Sequence, residues 1–237
     1  MPEKQSWSII IFCYNEAGTV ASVIASAREF FQRTGCSDNE IIVVDDGSTD
    51  GSAEVIRKSS GQDVKIITHE KNMGIGRALR SGYFSAIKEN VVAVPADGQF
   101  DLGELVPYAS VDDKTFISFF RKENTVYSFR RNILSYLNKK VNSFFLGINL
   151  KDVNWVKVYK RAELERLNLK MKSSLVESEI CSKLLLRKNL AIEVYSVYHK
   201  RTSGLSKGAS FRIVAQAARE TLKLIFVLTA YRLSKKE

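Results

Sequence analysis

Four short runs in the first hundred residues are apolar almost throughout: SIIIF (8–12), EIIVVDD (40–46), VKIIT (64–68) and VVAV (91–94). Such runs, rich in β-branched side chains, suit strands covered on both faces. Helical stretches lie between them, at 17–32, 52–59 and 74–89. This alternation predicts βαβ units and a parallel sheet. Beyond residue 113 the rhythm changes. TFISFF (115–120) reads as a strand, DVNWVKVYK (152–160) alternates like one, and a further strand is expected over 190–198. Apolar positions at 133, 134, 137, 141, 144, 145 and 148 follow the period of an amphipathic helix over 130–148. Helices are also expected over 174–188 and, basic and amphipathic, over 207–234. No repeat, low-complexity tract or linker interrupts the chain. The expected class is therefore α/β.

Composition narrows the function classes. A chain of 237 residues with 45% hydrophobic and 26% charged positions can bury a sizeable core, which excludes disordered and fibrous classes. Cys13, Cys36 and Cys181 are widely spaced with no CxxC pair, which argues against a disulfide framework or zinc site and for a reducing compartment. The N-terminal apolar run reaches Asn15-Glu16 at once and does not read as a signal peptide. The apolar run LIFVL (224–228) is far shorter than the ~20 residues of a membrane span. Charge is divided: residues 1–113 balance to −7 and residues 114–237 to +17. The second half therefore suits an anionic partner such as a membrane surface or phosphates. Nucleic acid is not expected, because no recognised nucleic-acid module accompanies the charge.

In parallel sheets ligands bind beyond the C-terminal strand ends. Those ends carry Tyr14-Asn15-Glu16, Asp45-Asp46-Gly47-Ser48, His69 to Asn72, and Ala96 to Gln99. The Asp45-Asp46 pair can accept hydrogen bonds from a nucleobase N–H or ribose hydroxyls, while Ser48, Thr49 or Asp50 can cap the next helix. GIGRA (74–78) is not a nicotinamide-nucleotide fingerprint, since it follows the third strand and Leu79 holds the third glycine position. Its glycines permit close packing or approach to phosphates, with Arg77 a candidate phosphate contact. Asp101 is expected to cap a helix starting near Leu102.

The ordered set YNEAGTV (14–20), VVDDGSTDGS (43–52), NMGIGRALRSGY (72–83), ADGQFD (96–101), DVNWVKVYKR (152–161) and HKRTSGLSK (199–207) resembles the inverting family-2 glycosyltransferases of the glycosyltransferase A fold. It is most similar to the branch holding dolichyl-phosphate mannose synthase and bacterial polyprenyl-phosphate glycosyltransferases. The resemblance runs from Ile9 to about Lys207. It implies a Rossmann-like, mostly parallel sheet flanked by helices. A catalytic domain would span 1–206, with a nucleotide-sugar half (1–113) and an acceptor half (114–206), followed by a basic C-terminal helix (207–237). It places Tyr14, Glu16, Asp45, Asp46 and Asp97 at a UDP- or GDP-sugar donor, to which the helix N-terminus reading adds Arg77, and Asp97 and Gln99 at a divalent Mg or Mn. Pro95 stands where the family's Asp-x-Asp has its first carboxylate, so metal affinity would rest on Asp97.

Arg121, Arg131 and Arg201, helped by Ser206 and Lys207, are the implied ligands of an acceptor phosphate, with Asp97, Arg121 and Arg201 as the catalytic set. A polyprenyl phosphate needs no base, whereas a glycan hydroxyl acceptor would, with Asp152, Glu177 or Glu179 as candidates. The expectation is transfer of a sugar to polyprenyl or dolichyl phosphate, in cell-envelope polysaccharide biosynthesis, by a cytoplasmic protein peripheral to the inner face of a membrane. The basic helix would make the membrane contact, with a membrane protein as a further partner. Transfer to a glycan hydroxyl, and a non-catalytic binding protein for nucleotide-sugar or lipid phosphate, are the alternatives.

Overall fold

The computed structural model describes residues 5–121, 142–197 and 211–234. The apolar runs at 8–12, 40–46 and 91–94 form strands covered on both faces, whereas the run at 64–68 forms an edge strand without a buried residue, its Ile66 exposed. β1 (Trp7–Cys13) lies between β2 (Asn39–Asp45) and β4 (Asn90–Pro95), parallel to each, and β3 (Val64–Thr68) flanks β2. Ile9 and Ile11 enter one apolar cluster and Ile10 the other, on opposite faces of the sheet. α1 (Val20–Thr34) and α2 (Ser52–Ser59) cover the first face, together with the short 3-10 helix Leu102–Tyr108. α3 (Ile75–Ser85) covers the second.

The second half continues the same sheet through β5 (Thr115–Arg121), β6 (Lys157–Lys160) and β7 (Leu190–Ser196), in the order β3-β2-β1-β4-β6-β5-β7. β6 is antiparallel to both β4 and β5, and β7 is parallel to β5. β5 therefore points the same way as β1 and β4. Its C-terminal residue, Arg121, reaches the same sheet edge as Cys13, Asp45 and Pro95. α4 (Arg161–Glu165), α5 (Val176–Leu186) and α6 (Phe211–Leu233) complete the described chain. α5 buries Val176, Ile180 and Leu184, against which α6 sets Leu224 and Leu228. Among the described residues, no helix is long and apolar enough to cross a membrane.

Two expectations are corrected, and one short helix is new. Of the strand expected over 152–160, only Lys157–Lys160 pairs, because the Lys157 ammonium draws the carbonyls of Val153 (2.7 Å) and Trp155 (3.0 Å) into a loop. The N-cap position of α2 is Gly51, which has no side chain to bond; Asp50 beside it accepts from Ser52 N, the first residue of α2, at 3.0 Å through Oδ1, while Ser48 Oγ bonds Asn15 N instead. α4 follows β6 without a helix signal in the sequence pattern. Most of the helix expected over 130–148 lies outside the described residues. Asp101 does cap its helix, accepting from Gly103 N at 2.8 Å.

α3 approaches its neighbours through glycines. A Cβ at Gly82 would lie 2.3 Å from Ile10 Cγ2, and one at Gly76 2.0 Å from the Ser173 carbonyl oxygen. Backbone yields less readily than a side-chain tip, so Gly76→Ala is expected to destabilise the protein by about 1–3 kcal/mol, the range for overpacking. Urea denaturation checks this, and a loss below about 0.5 kcal/mol, typical of neutral surface changes, would contradict the close approach.

Candidate active site

Register brings three loops to one edge. Cys13 pairs with Asp45 and Phe12 with Pro95, so the chain leaves β1, β2 and β4 at one level. Asn15 (φ 58°) turns the first loop into the second. Asn15 N donates to Ser48 Oγ (3.0 Å), Glu16 N to Ser52 Oγ (2.9 Å) and Ala17 N to Asp50 Oδ2 (3.1 Å). Thr49 N returns a bond to Asn15 Oδ1 at 2.8 Å, and Thr19 Oγ1 donates to the Ala96 carbonyl at 2.7 Å. The polar run after β2 thus laces loops together.

The two adjacent aspartates have different tasks. Asp45, 1% exposed, accepts from Ser48 N at 3.0 Å and is not on the cavity wall. Asp46 reaches that wall but is itself anchored. Its Oδ1 accepts from Met73 N (2.9 Å) and its Oδ2 from Gly74 N (2.8 Å), while His69 Nδ1 lies 2.6 Å from Oδ1. His69 Nε2 is 2.9 Å from Ser81 Oγ. The chain Asp46–His69–Ser81 has the bonding order of a nucleophilic triad. However, Ser81 sits within α3, and neither it nor His69 lines the cavity. These bonds tie α3 to the end of β2.

A cavity of about 500 Å³ opens at this edge. Of the residues expected at the donor, Tyr14, Glu16, Asp46 and Asp97 line it, and Arg121 joins them from the other half of the sheet. Arg77 is exposed on the first turn of α3 and does not line it. Gln99 is buried and also off the wall, so the structure does not bring it beside Asp97 in the cavity. Arg131, Arg201, Ser206 and Lys207 lie outside the described residues.

Sequence reasoning missed Tyr83, Trp155 and Lys157 as wall residues, and knew Glu177 only as a candidate base. A lysine within an otherwise apolar strand pattern was the signal for Lys157. Arg121 Nε donates to Asp152 Oδ2 at 2.8 Å, and its guanidinium carbon stands 4.4 Å from the centre of the Trp155 ring. Such stacking orients a guanidinium while leaving its fork suited to phosphate. Glu177 accepts from the hydroxyls of Tyr83 and Tyr159, each at 2.6 Å. Burial, then the Glu177 charge, pushes the Tyr83 hydroxyl well above its usual range.

Asp97 is half-buried at the strand end, its Oδ1 accepting from Gln99 N at 3.0 Å. Among the described residues, no group of three or more His, Cys, Asp or Glu could hold a metal alone. A hard cation at Asp97 would take its remaining ligands from a diphosphate and water, which is a common way for Mg²⁺ to bind. The donor set fits a metal that arrives with its substrate.

Asp46→Asn should destabilise the protein by about 1–3 kcal/mol, because an amide NH₂ would face N–H groups that need an acceptor. A melting curve matching the wild type would contradict this anchoring role. Burial also pushes the Cys13 and Cys181 thiols from 9.0 up to about 11. The unfolded chain releases these protons near pH 9 and the native chain only near 11, so stability should hold below 9 and fall between 9 and 11. Urea midpoints across that range check it; the fall should be shallower in a variant with Cys13→Ala and Cys181→Ala, and an equal slope would contradict the assignment.

Comparison with known proteins agrees with this geometry. The family model for glycosyl transferase family 2 matches residues 8–165. Human dolichyl-phosphate beta-glucosyltransferase is 34% identical over 105 residues, 41% of this chain and 32% of that protein. The undecaprenyl-phosphate 4-deoxy-4-formamido-L-arabinose transferase of Aeromonas hydrophila is 24% identical over 160 residues, 65% of this chain and 48% of its own. The chain thus spans between about a third and a half of these two relatives. A crystal structure of glucosyl-3-phosphoglycerate synthase from Mycobacterium tuberculosis, with Mn²⁺, UDP and glucosyl-3-phosphoglycerate, superposes with a TM-score of 0.66 at 18% identity. That match covers 94% of this chain and 79% of the other, and it shows the shared fold. With a sheet of this order and a family match over most of its length, the chain belongs to glycosyl transferase family 2 and has the glycosyltransferase A fold.

Proposed function

We propose that this protein transfers a sugar, with inversion, from a UDP- or GDP-sugar to a polyprenyl or dolichyl phosphate at a membrane surface. One observation carries the reading: a single cavity joins the donor-side residues Tyr14, Glu16, Asp46 and Asp97 to Arg121 of the basic half. The names of the dolichyl- and undecaprenyl-phosphate relatives support the same acceptor class. The nucleoside would lie against Tyr14 and Asp46, and its diphosphate would reach Asp97. A divalent Mg or Mn held by Asp97 would neutralise charge on the departing diphosphate.

Arg121, fixed by Asp152 and Trp155, would bind the acceptor phosphate, with Arg131, Arg201, Ser206 and Lys207 as further ligands. An oxygen of that phosphate attacks the anomeric carbon as the bond to the diphosphate breaks on the opposite side. The attacking oxygen is already anionic, so no base is required. The basic C-terminal helix, whose Leu222, Phe226 and Leu233 are exposed, would rest the protein on the inner face of the membrane, where a membrane protein is a further partner.

Glu177 favours a second reading, transfer to a glycan hydroxyl. It is a carboxylate on the cavity wall, held by two tyrosines and available as a base. The other candidates fit less well, since Asp152 holds Arg121 and Glu179 is fully buried with Lys183 at 2.6 Å.

Incubation with labelled UDP- and GDP-sugars, Mg²⁺ or Mn²⁺, and either a prenyl phosphate or a glycan separates the readings. Label in the prenyl phosphate with inverted configuration is expected. Label only in the glycan, lost on Glu177→Gln, would establish the second reading instead. Asp97→Ala and chelation should each lower transfer by about 100-fold or more, as loss of a preorganised charge contact does. Undiminished transfer would contradict the metal role.

A further inference from the structure

Lys157 opens β6 at the cavity edge and is 2% exposed. Its ammonium donates to three backbone carbonyls, those of Val153 (2.7 Å), Trp155 (3.0 Å) and Asp152 (3.4 Å). No carboxylate among the described residues forms an ion pair with it. Its neighbours in β6, Val158 and Tyr159, are fully buried, and an apolar chain of equal length would fill the same space without desolvating a charge. The ammonium can do what an apolar chain cannot, namely draw the carbonyls of one loop to a single point. That loop carries two groups that hold Arg121: the Asp152 carboxylate at 2.8 Å and the Trp155 ring at 4.4 Å.

We propose that Lys157 is a positioning residue, whose buried ammonium sets the 152–155 loop so that Asp152 and Trp155 hold the Arg121 guanidinium in place as a preformed phosphate ligand. The proposal deepens the reading given above and rests on it for the identity of the phosphate. The placement of Arg121 itself can be read without substrate.

The test uses the ¹⁵N signal of the Arg121 Nε–H group in the whole protein, assigned by its loss in Arg121→Lys. In the wild type, the bond to Asp152 and the ring current of Trp155 should shift this signal away from the position of free arginine. Lys157→Met should return it towards that position while the amide signals of β1 to β4 stay put. Lys157→Gln keeps two donors for the carbonyls but loses the charge; it should move the signal in the same direction, and it decides the matter if the Met variant does not fold. An unmoved signal in the folded variants overturns the proposal.

Titration with geranyl phosphate adds the functional arm. Lys157→Met and Arg121→Ala should each weaken binding about tenfold or more, as misplacement of a binding group does, and the double variant should bind no more weakly than Arg121→Ala. Losses that multiply would show Lys157 acting on the ligand directly and overturn the positioning role. A displaced Arg121 signal in the variants, with no geranyl phosphate binding by the wild type, would uphold the positioning role and count against the acceptor reading alone.

Discussion

The carboxylate of Asp46 is the joint on which the site depends. It follows the last residue of β2, accepts the Met73 and Gly74 N–H groups at 2.9 and 2.8 Å, and faces His69 at 2.6 Å. Bonds to an ionised acceptor are stronger than neutral ones, so three of them at one residue fix the entry of α3 firmly. Beside it, Gly47 (φ 71°) lets the loop pass, since a Cβ there would lie 2.4 Å from the Lys71 carbonyl carbon. α3 in turn rests on Ile10 through Gly82 and on Ser173 through Gly76. Its position therefore limits where the segment before α5 can lie, and with it Glu177. A short carboxylate at a strand end thus sets much of one cavity wall.

The opposite wall depends on strand direction. β6 runs against both of its neighbours, which returns β5 to the direction of β1 and β4 and delivers Arg121 to the cavity edge. The same antiparallel insertion starts β6 at that edge, so Lys157 enters the site from the strand's first residue. Acidic and basic halves, well separated in sequence, meet in one cavity because one strand is reversed.

The sequence made the first half largely legible. Uniformly apolar runs declared β1 to β4, and the strand-end rule picked out Tyr14, Glu16, Asp46 and Asp97, all on the cavity wall. It could not separate Asp45 from Asp46, because adjacent residues at a turn differ only in which way each side chain leaves the strand. Ser48 to Ser52 carried a helix-cap pattern, yet their main partners are the N–H groups of another loop. Trp155, Lys157 and Tyr83 stayed hidden because long-range register places them, and no local pattern encodes it. For the same reason the alternation at 152–156 misled: a buried ammonium outweighed strand propensity there.

The proposed function requires the joined strand ends to form a ready-made nucleotide-diphosphate pocket. Calorimetric titration of the whole protein with UDP and with GDP, each with and without Mn²⁺, tests it most directly. Saturable binding of one nucleotide per chain, strengthened by the metal for at least one of the two, is expected. No heat of binding and no shift in melting temperature with either nucleotide would contradict it.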